Sequence, residues 1–239
     1  MTFAIAHTDP TALIARCDSA AVRTAHGHPD YEAGAVLPDG PWHPLSSAQA
    51  AGFRPTAQDA VSTLVELVKL TAGPAPVGGL ANLPELLGDP DAVHLGRAPS
   101  SARTLTTTPN YRDGRRIGLH VDNWDRLPYS SKHTGRRRLC FNFGPGTRYL
   151  LLGNLDIRAI CAALHTEPEK RYPHTDDLRA YISRGLPLRV YRFRIDPGEG
   201  YIAPTELLPH DGSTEDQPEP STAAFWLGHW PRGGLESLT

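Results

Sequence analysis

The segment His120-Val121-Asp122 carries the residue types with the clearest potential for chemistry in this sequence. It ends an apolar run over residues 117–121 that is typical of a β-strand. Residues i and i+2 of a strand point to the same side, so the imidazole of His120 and the carboxylate of Asp122 can reach one metal ion. With one more imidazole they would form a two-histidine, one-carboxylate site, which leaves metal positions open for a chelating acid and for dioxygen.

The third ligand must come from a distant part of the chain. His210 is the preferred candidate, because it follows a predicted strand over residues 201–208 and precedes the turn-like pair Asp211-Gly212. His229 is the alternative, in the last predicted strand. The remaining candidates fit less well because they fall in loop or helix contexts: His133, His165 and His174.

Short runs rich in β-branched and aromatic residues dominate the chain from about residue 102 and would position these ligands. Turn signals such as Gly144-Pro145-Gly146 and Pro197-Gly198 separate them. The predicted strands cover residues 103–111, 116–122, 137–144, 148–155, 187–195, 200–208 and 222–230. This spacing predicts a mainly β fold, a barrel or a double-sheet jelly roll. An insert over residues 156–184 is predicted to carry two helices, at 157–164 and 176–183.

The first hundred residues have a different character and predict helices that flank the β core. Residues 10–25 are interpreted as a helix with Asp9 as its cap, and residues 57–71 as a second helix with an apolar i, i+3, i+4 pattern and Thr56 as its cap. Residues 27–55 are predicted to be a loop region, and residues 73–100 to be irregular. We therefore expect one domain, in which a helical and loop region (1–100) packs on a jelly-roll core (101–239).

The amino-acid composition limits the kinds of partner that this protein is expected to bind. The formal net charge of -2 offers no attraction to nucleic acid or to an anionic membrane. The longest apolar runs are far shorter than the ~20 residues of a membrane-spanning helix, and the N-terminus lacks the pattern of a secretory signal. Three widely spaced cysteines, Cys17, Cys140 and Cys161, fit neither a disulfide framework nor a zinc ribbon, which favours a cytoplasmic location.

Three segments resemble bacterial members of the iron(II)/2-oxoglutarate dioxygenase superfamily: GLHVDNWD at 118–125, RLCFNFG at 138–144 and APTE at 203–206 running into HDGS at 210–213. The resemblance covers about residues 105–230 and not the N-terminal region. It implies a double-stranded β-helix, the cupin-like form of the jelly roll. It also implies Fe(II), dioxygen and 2-oxoglutarate, with release of succinate and CO2 as a substrate carbon is oxidised.

The distal carboxylate of 2-oxoglutarate would need a cation, and a planar arginine suits it best. Many superfamily members place that arginine on the last strand, about ten residues after the distal histidine, but here that stretch has none before Arg232. Our prediction is Arg138 with Asn142 as its amide partner, because the two share a face of the predicted strand. Arg148 is the alternative cation, and Ser213 could bind either acid group.

Three further residues are candidates for the substrate pocket. Tyr201 and Thr205 alternate on the predicted strand that leads toward His210, and Trp124 follows the H-x-D segment. The substrate is expected to be a small molecule, an amino acid or a peptide-like compound, and the sequence does not choose among them. A metal-dependent cupin-type enzyme without 2-oxoglutarate and a non-catalytic β-sandwich binding module remain the alternative functions.

Overall fold

A computed structural model of the chain describes residues 3–56, 58–69 and 87–239. Its first elements are β1 (Ala4–Ala6), α1 (Pro10–Ile14), β2 (Cys17–Thr24), β3 (Tyr31–Pro44), α2 (Ser47–Gly52), β4 (Leu64–Lys69) and β5 (Val93–Ser100). Those that follow are β6 (Arg116–Gly118), β7 (Arg137–Pro145), β8 (Arg148–Gly153), α3 (Ile157–Leu164), α4 (Thr175–Ser183), β9 (Arg189–Ile195), β10 (Glu199–Ala203), β11 (His210–Ser213), β12 (Ser221–Gly228) and β13 (Glu236–Ser237). The fold is mainly β, as the sequence predicts.

These strands form two sheets. The first sheet has the order β1-β4-β10-β7-β12-β5, with β13 added to β4, and the second has the order β11-β8-β9-β2-β3-β6. The pairing is antiparallel except between β1 and β4 and between β3 and β6. Short turns at residues 146–147 and 196–198 join β7 to β8 and β9 to β10, which carries the chain from one sheet to the other.

The two sheets pack face to face around one apolar core. Val65, Leu67 and Tyr201 from the first sheet contact a cluster that includes Leu150 and Phe193 from the second. Each of these side chains is nearly excluded from solvent, and burying a large apolar side chain stabilises a fold by about 1.5–3 kcal/mol. The arrangement is a β-sandwich, whose opposed inner faces supply most of the driving force for folding.

Two helices cover the outer face of the second sheet. Ile157 and Ile160 of α3 and Leu178 of α4 pack with Val190 and Leu151 of the sheet. The predicted helices at 157–164 and 176–183 are both confirmed. The Asp156 carboxylate caps α3 by accepting from the Ala159 amide at 2.7 Å. None of the described helices is long and apolar enough to cross a membrane.

The helix predicted over residues 10–25 is confirmed only for its first turns. Asp9 caps α1 by accepting from the Thr11 amide at 2.8 Å, but the chain extends into β2 from Cys17 onward. Strand β2 lies between β9 and β3 in the second sheet. Pairing on both edges outweighs the helix preference of this alanine-containing segment, because tertiary context readily overrides intrinsic propensity.

The helix predicted over residues 57–71 is wrong within the described residues. The segment forms a single 3-10 turn, Val61–Thr63, followed by β4, which pairs with β1 and β10. All residues of β4 except Lys69 are buried. A strand buried on both faces gives a continuous apolar run, which periodicity alone does not distinguish from a helix. Residue 57 and residues 70–71 lie outside the described residues.

The first hundred residues therefore do not form a separate helical layer. They contribute β1, β4 and β5 to the first sheet and β2 and β3 to the second. The predicted loop at 27–55 contains the fourteen-residue strand β3, whose internal proline and glycine residues hide the alternation expected of a strand. Strand β5 lies in the segment 73–100, which is predicted to be irregular and of which residues 73–86 lie outside the described residues.

Two strand predictions in the second half also need correction. Residues 103–111 form no strand and contribute only an isolated bridge between Pro109 and Arg116. The predicted strand over 201–208 ends at Ala203, and His210 begins a new strand instead of following an old one. Asp211-Gly212, predicted as a turn, lies inside β11 and pairs with β8.

Candidate metal centre

His120, Asp122 and His210 form one buried cluster, whose ligand atoms all lie within 4.8 Å of one another. The His120 Nε2 atom is 4.0 Å from Asp122 Oδ1, and the His210 Nε2 atom is 3.7 Å from Asp122 Oδ2. The three residues predicted from the sequence as metal ligands are thus brought together. Two imidazoles and a carboxylate at these distances could hold a metal ion.

A short antiparallel bridge places the two histidines opposite each other. The His120 amide donates to the His210 carbonyl at 3.0 Å, and the His210 amide donates to the His120 carbonyl at 2.8 Å. The Asp122 amide donates to the Thr205 carbonyl at 2.9 Å. Backbone hydrogen bonds therefore fix all three positions, and the alternation of the extended chain turns His120 and Asp122 to the same side.

Backbone carbonyls also set the tautomer of both histidines. The His120 Nδ1 atom lies 2.9 Å from the Gly118 carbonyl oxygen, and the His210 Nδ1 atom lies 3.2 Å from the Leu208 carbonyl oxygen. A carbonyl oxygen only accepts, so each Nδ1 carries the proton and each Nε2 presents a lone pair toward Asp122. Metal-binding histidines are commonly oriented in this way by a partner on the other ring nitrogen.

The electrostatics of the cluster favour an ionised Asp122 and a neutral His210. Burial lowers the pKa of His210 to about 3, despite the opposing effect of Asp122. Burial acts to raise the pKa of Asp122, but the Arg138 guanidinium, the two imidazoles and the Thr205 hydroxyl together hold it below its ordinary value. The ionised aspartate and the neutral His210 are the protonation states that bind a metal ion.

Two ligand atoms lack a hydrogen-bond partner within the described residues: His210 Nε2 and Asp122 Oδ2. Asp122 Oδ2 does lie 2.7 Å from Arg138 Nη2 in an ion pair, but the contact lacks the alignment of a hydrogen bond. Buried polar atoms without partners are rare in folded proteins and need an explanation. A metal ion bound by these atoms would satisfy both of them.

Asp211 is a buried carboxylate that sequence reasoning interpreted only as part of a turn. Its Oδ1 atom accepts from the amides of Thr107, Thr108 and Gly212 and from the Thr108 hydroxyl. Its Oδ2 atom lies 3.8 Å from His120 Nδ1. Asp211 therefore ties the segment before β6 to β11 directly behind the His120 ring, and it supports the ligand instead of binding the metal.

A cavity of about 670 Å³ opens onto the three ligands. Its wall includes two of the predicted substrate-pocket residues, Trp124 at the exposed rim and the buried Tyr201. The third, Thr205, is fully buried behind Asp122 and does not line the cavity. The volume falls within the range of sites that bind small molecules.

Two arginines project into this cavity, and they differ in their partners. Arg138 forms the ion pair with Asp122. Arg148 has 3% of its surface exposed and forms no ion pair with any described residue, and its Nη1 atom has no hydrogen-bond partner there. Both guanidinium groups lie against the Phe225 ring, at 5.5 Å and 5.9 Å from its centroid. Arg148 is a buried cation whose charge the described residues leave uncompensated.

Gly212 makes room for Arg148. A Cβ atom at position 212 would lie 2.5 Å from Arg148 Nη2 and 2.6 Å from the Thr107 hydroxyl oxygen. Only a residue without a side chain lets β11 pass this close to the guanidinium. The glycine after Asp211, predicted to form a turn, instead preserves the space that the arginine occupies.

Asn142, Ser213 and His229 do not belong to the site. The Asn142 amide group donates to the carbonyls of Gly146 and Ile195 and accepts from the Gly144 amide, so it holds the β7–β8 turn. The Ser213 hydroxyl donates to the Thr104 carbonyl and accepts from the Glu215 amide. His229 is exposed after the end of β12. None of the three lines the cavity, so the structure gives no support to Asn142 and Ser213 as cosubstrate-binding residues or to His229, the alternative third ligand.

Sequence reasoning also missed a buried Lys132–Glu206 pair beside the site. Lys132 Nζ lies 3.4 Å from Glu206 Oε2 and donates to Asn123 Oδ1 at 3.3 Å. Glu206 Oε1 accepts from the Asp125 amide at 2.6 Å. The pair anchors the loop that follows Asp122. No signal in the sequence links these residues, because they come from a 3-10 helix and a separate turn.

A second group of possible ligands, Cys161, His165 and Asp177, lies between α3 and α4. His165 Nε2 is already paired with Asp177 Oδ1 at 2.8 Å. Burial raises the pKa of the Cys161 thiol to about 11, so the metal-binding thiolate is disfavoured. This group is best explained by the hydrogen bond between His165 and Asp177, which joins the two helices.

Comparison with protein-family models and with curated proteins identified no relative of this chain. The sequence matches no protein-family model, and no curated protein matches it significantly. The functional conclusion therefore rests on the chemistry of the buried cluster and of the cavity that opens onto it.

Proposed function

We propose that this protein is an iron(II)- and 2-oxoglutarate-dependent oxygenase that oxidises a small molecule, built on a double-stranded β-helix. One observation carries the proposal: a buried two-histidine, one-carboxylate cluster shares its cavity with an arginine that has no anionic partner among the described residues. The first feature suits a metal with open positions. The second suits a carboxylate ligand.

The donor set suits iron(II), because two imidazoles and one carboxylate with open positions are typical of non-haem iron(II) oxygenases. Catalytic zinc sites use similar ligands, so the choice of iron also relies on the buried arginine that would bind 2-oxoglutarate. Bound iron(II) would supply the activation of dioxygen, coupled to conversion of 2-oxoglutarate to succinate and CO2. His120, Asp122 and His210 would hold the ion.

Arg148 is the better candidate to bind the distal carboxylate of 2-oxoglutarate. Isolated buried charges are costly, so an arginine without a counter-ion indicates that a ligand supplies one. Arg138, the residue preferred from the sequence, already pairs with Asp122 at 2.7 Å. The choice between the two arginines remains a prediction, and their different partners favour Arg148.

The other residues of the cavity would orient the reactants and exclude water. Phe225 lies against both guanidinium groups and limits their movement. Tyr201 supplies a buried phenol, and Asp211 and the Lys132–Glu206 pair hold the segments that carry the ligands. In this proposal the reaction takes place beside His120, Asp122 and His210, and Trp124 lies at the exposed rim of the cavity.

Anaerobic titration of the purified protein with iron(II) and then with 2-oxoglutarate tests the proposal directly, followed by measurement of succinate after admission of air. We expect one metal ion per chain, and succinate formation that requires both additions and rises with a suitable substrate. Metal binding without any effect of 2-oxoglutarate would favour a cupin-type enzyme. Binding of neither would favour a non-catalytic β-sandwich.

A further inference from the structure

The charged groups that line the cavity indicate the charge of the substrate that could bind there beside 2-oxoglutarate. Among the described residues, the charged groups in the wall are Arg97, Asp122, Arg138 and Arg148. The guanidinium of Arg97 lies 5.2 Å from the centroid of the Phe143 ring, on the face of β7 opposite to Arg138. Two arginines and one aspartate therefore face the interior.

When iron(II) and 2-oxoglutarate are bound, the groups that line the cavity still carry an excess of positive charge. Iron(II) and the two arginines contribute four positive charges, and Asp122 and the 2-oxoglutarate dianion contribute three negative charges. Asp211 does not line the cavity: its Oδ1 atom accepts from backbone amides and the Thr108 hydroxyl behind His120, and its Oδ2 atom has no hydrogen-bond partner among the described residues. Among the groups that line the cavity, one positive charge therefore remains for the substrate to neutralise.

Arg138 is the residue that carries this remaining charge. Its Nε atom is buried without a hydrogen-bond partner in the described part of the chain. Its one ionic partner, Asp122, would be shared with the metal ion in the loaded enzyme. Arg148 would meanwhile be engaged by 2-oxoglutarate. Arg138 is thus a cation beside the metal that has donors to spare for an oxyanion.

The wall offers nothing comparable for a substrate ammonium group. Asp122 is the one carboxylate that lines the cavity among the described residues, and it would be bound to the metal. The other lining residues include six apolar or aromatic side chains (Leu95, Ala98, Ile117, Val121, Trp124 and Phe225) and five polar but uncharged ones (Ser100, Thr107, Thr108, Asn110 and Asn123). The ammonium of a free amino acid would find no free carboxylate among the described lining residues, so its desolvation would be compensated less well than that of an anion beside Arg138.

We infer that the substrate is a small acid with an apolar body and no free amine, whose carboxylate or phosphonate group is bound by Arg138. The inference rests on the proposed function, because it assigns Arg148 to 2-oxoglutarate. It narrows the substrate class from amino acids in general to acids whose amine is absent or acylated.

Matched ligand sets test the inference on the full chain loaded with Mn²⁺ and 2-oxoglutarate. Each set keeps one side chain (that of alanine, leucine or phenylalanine) and compares the N-acetyl acid, the free amino acid and the neutral N-acetyl amide. An aminoalkylphosphonate, acetylated on nitrogen, tests the other oxyanion. We expect the N-acetyl acid of at least one set to bind about tenfold or more tightly than both its amide and its free amino acid.

In Arg138→Gln, the affinities for the N-acetyl acid and the N-acetyl amide should lie within about threefold of each other. Arg138→Lys should keep part of the preference for the acid. Mn²⁺ and 2-oxoglutarate affinities are measured on both variants, so that damage to the metal site is recognised. Arg189→Gln, an exposed arginine on β9, is the matched control and should change nothing.

The inference would be overturned if free amino acids bound more tightly than their N-acetyl acids. It would also be overturned if no set showed a preference for the acid over the amide, or if that preference survived in Arg138→Gln. Failure of the proposed function looks different. A chain that binds no 2-oxoglutarate but prefers acids through Arg138 would refute the cosubstrate and keep the substrate class. Loss of the acid preference in Arg148→Gln alone would instead assign the anion to Arg148 and overturn the inference.

Discussion

At the scale of single residues, the candidate metal centre depends on which nitrogen of each histidine is free to bind a metal ion. Both histidines use Nδ1 to donate to a carbonyl two residues earlier in the chain, which leaves Nε2 free to bind. Asp122 is ionised and buried between them. Removing one member of such a set leaves two ligands, which hold a divalent ion poorly.

We predict that His120→Ala, Asp122→Ala and His210→Ala each lose tight binding of Mn²⁺ or iron(II) and lose turnover, while far-ultraviolet circular dichroism stays close to that of the parent. Calorimetric titration with Mn²⁺ measures the binding. His229→Ala is the control, because His229 is exposed and outside the cluster. Retention of tight binding by any of the three ligand variants would refute the assignment.

The two arginines of the cavity give a second prediction at this scale. Breaking a buried charge pair by removing one partner typically costs ~3–5 kcal/mol, and each 1.4 kcal/mol is about tenfold in affinity. Arg148→Ala should therefore raise the 2-oxoglutarate concentration needed for succinate formation by about a hundredfold or more, with Mn²⁺ affinity retained. If Arg138→Ala has this effect and Arg148→Ala has none, the assignment based on the sequence is the correct one.

At the scale of elements, the first sheet depends on a buried ion pair that crosses it. Arg137 on β7 donates to Glu66 of β4 at 2.7 Å and to the Trp230 carbonyl at 2.6 Å, and Trp230 Nε1 donates back to the Arg137 carbonyl at 2.8 Å. Burial acts to lower the pKa of Arg137, and Glu66 opposes that effect. The sequence shows only three consecutive arginines here, whose roles differ completely.

We predict that Arg137→Met destabilises the protein by ~3–5 kcal/mol, because Glu66 is left as an unpaired buried charge. The double variant Arg137→Met, Glu66→Leu should recover much of this loss. Urea unfolding followed by tryptophan fluorescence measures both. Arg136→Met is the neighbouring control: Arg136 pairs with Asp125 in a partly exposed position, so it should cost about 1 kcal/mol or less. Equal effects at 136 and 137 would contradict the role given to the pair.

At the scale of the whole molecule, the metal site joins segments that are distant in the chain. His120 and Asp122 follow β6, and His210 begins β11 of the second sheet, where it pairs with β8. The segment at 107–108 and the turn at 205–206 also meet there. A ligand that binds the folded state alone stabilises it in proportion to the logarithm of its concentration.

We predict that Mn²⁺ at about a hundred times its dissociation constant adds ~2.7 kcal/mol of stability, which raises the Tm of a chain of this size by about 5–10 °C. Thermal unfolding with Mn²⁺ and with EDTA measures the shift. His210→Ala should unfold at the same temperature under both conditions. A shift of equal size in that variant would mean that the ion binds elsewhere.

The sequence by itself determined the parts of this protein that depend on local geometry. The i, i+2 spacing of His120 and Asp122 puts both side chains on one side of any extended chain, and alternation identified strands β7, β8, β9 and β12. The amphipathic pattern of residues 156–184 identified α3 and α4 within one or two residues. These features are encoded in the few residues around each position.

Only the tertiary structure decided the features that depend on distant partners. Strand β4 is buried on both faces, with Glu66 as its one buried charge, and β2 is extended because strands pair on both of its edges. The position of β7 between β10 and β12 separated Arg137, which reaches Glu66 on β4, from Arg138, and the approach of Gly212 on β11 made room for Arg148. No local pattern tells whether an arginine side chain finds a carboxylate, because that partner comes from another strand of the sheet.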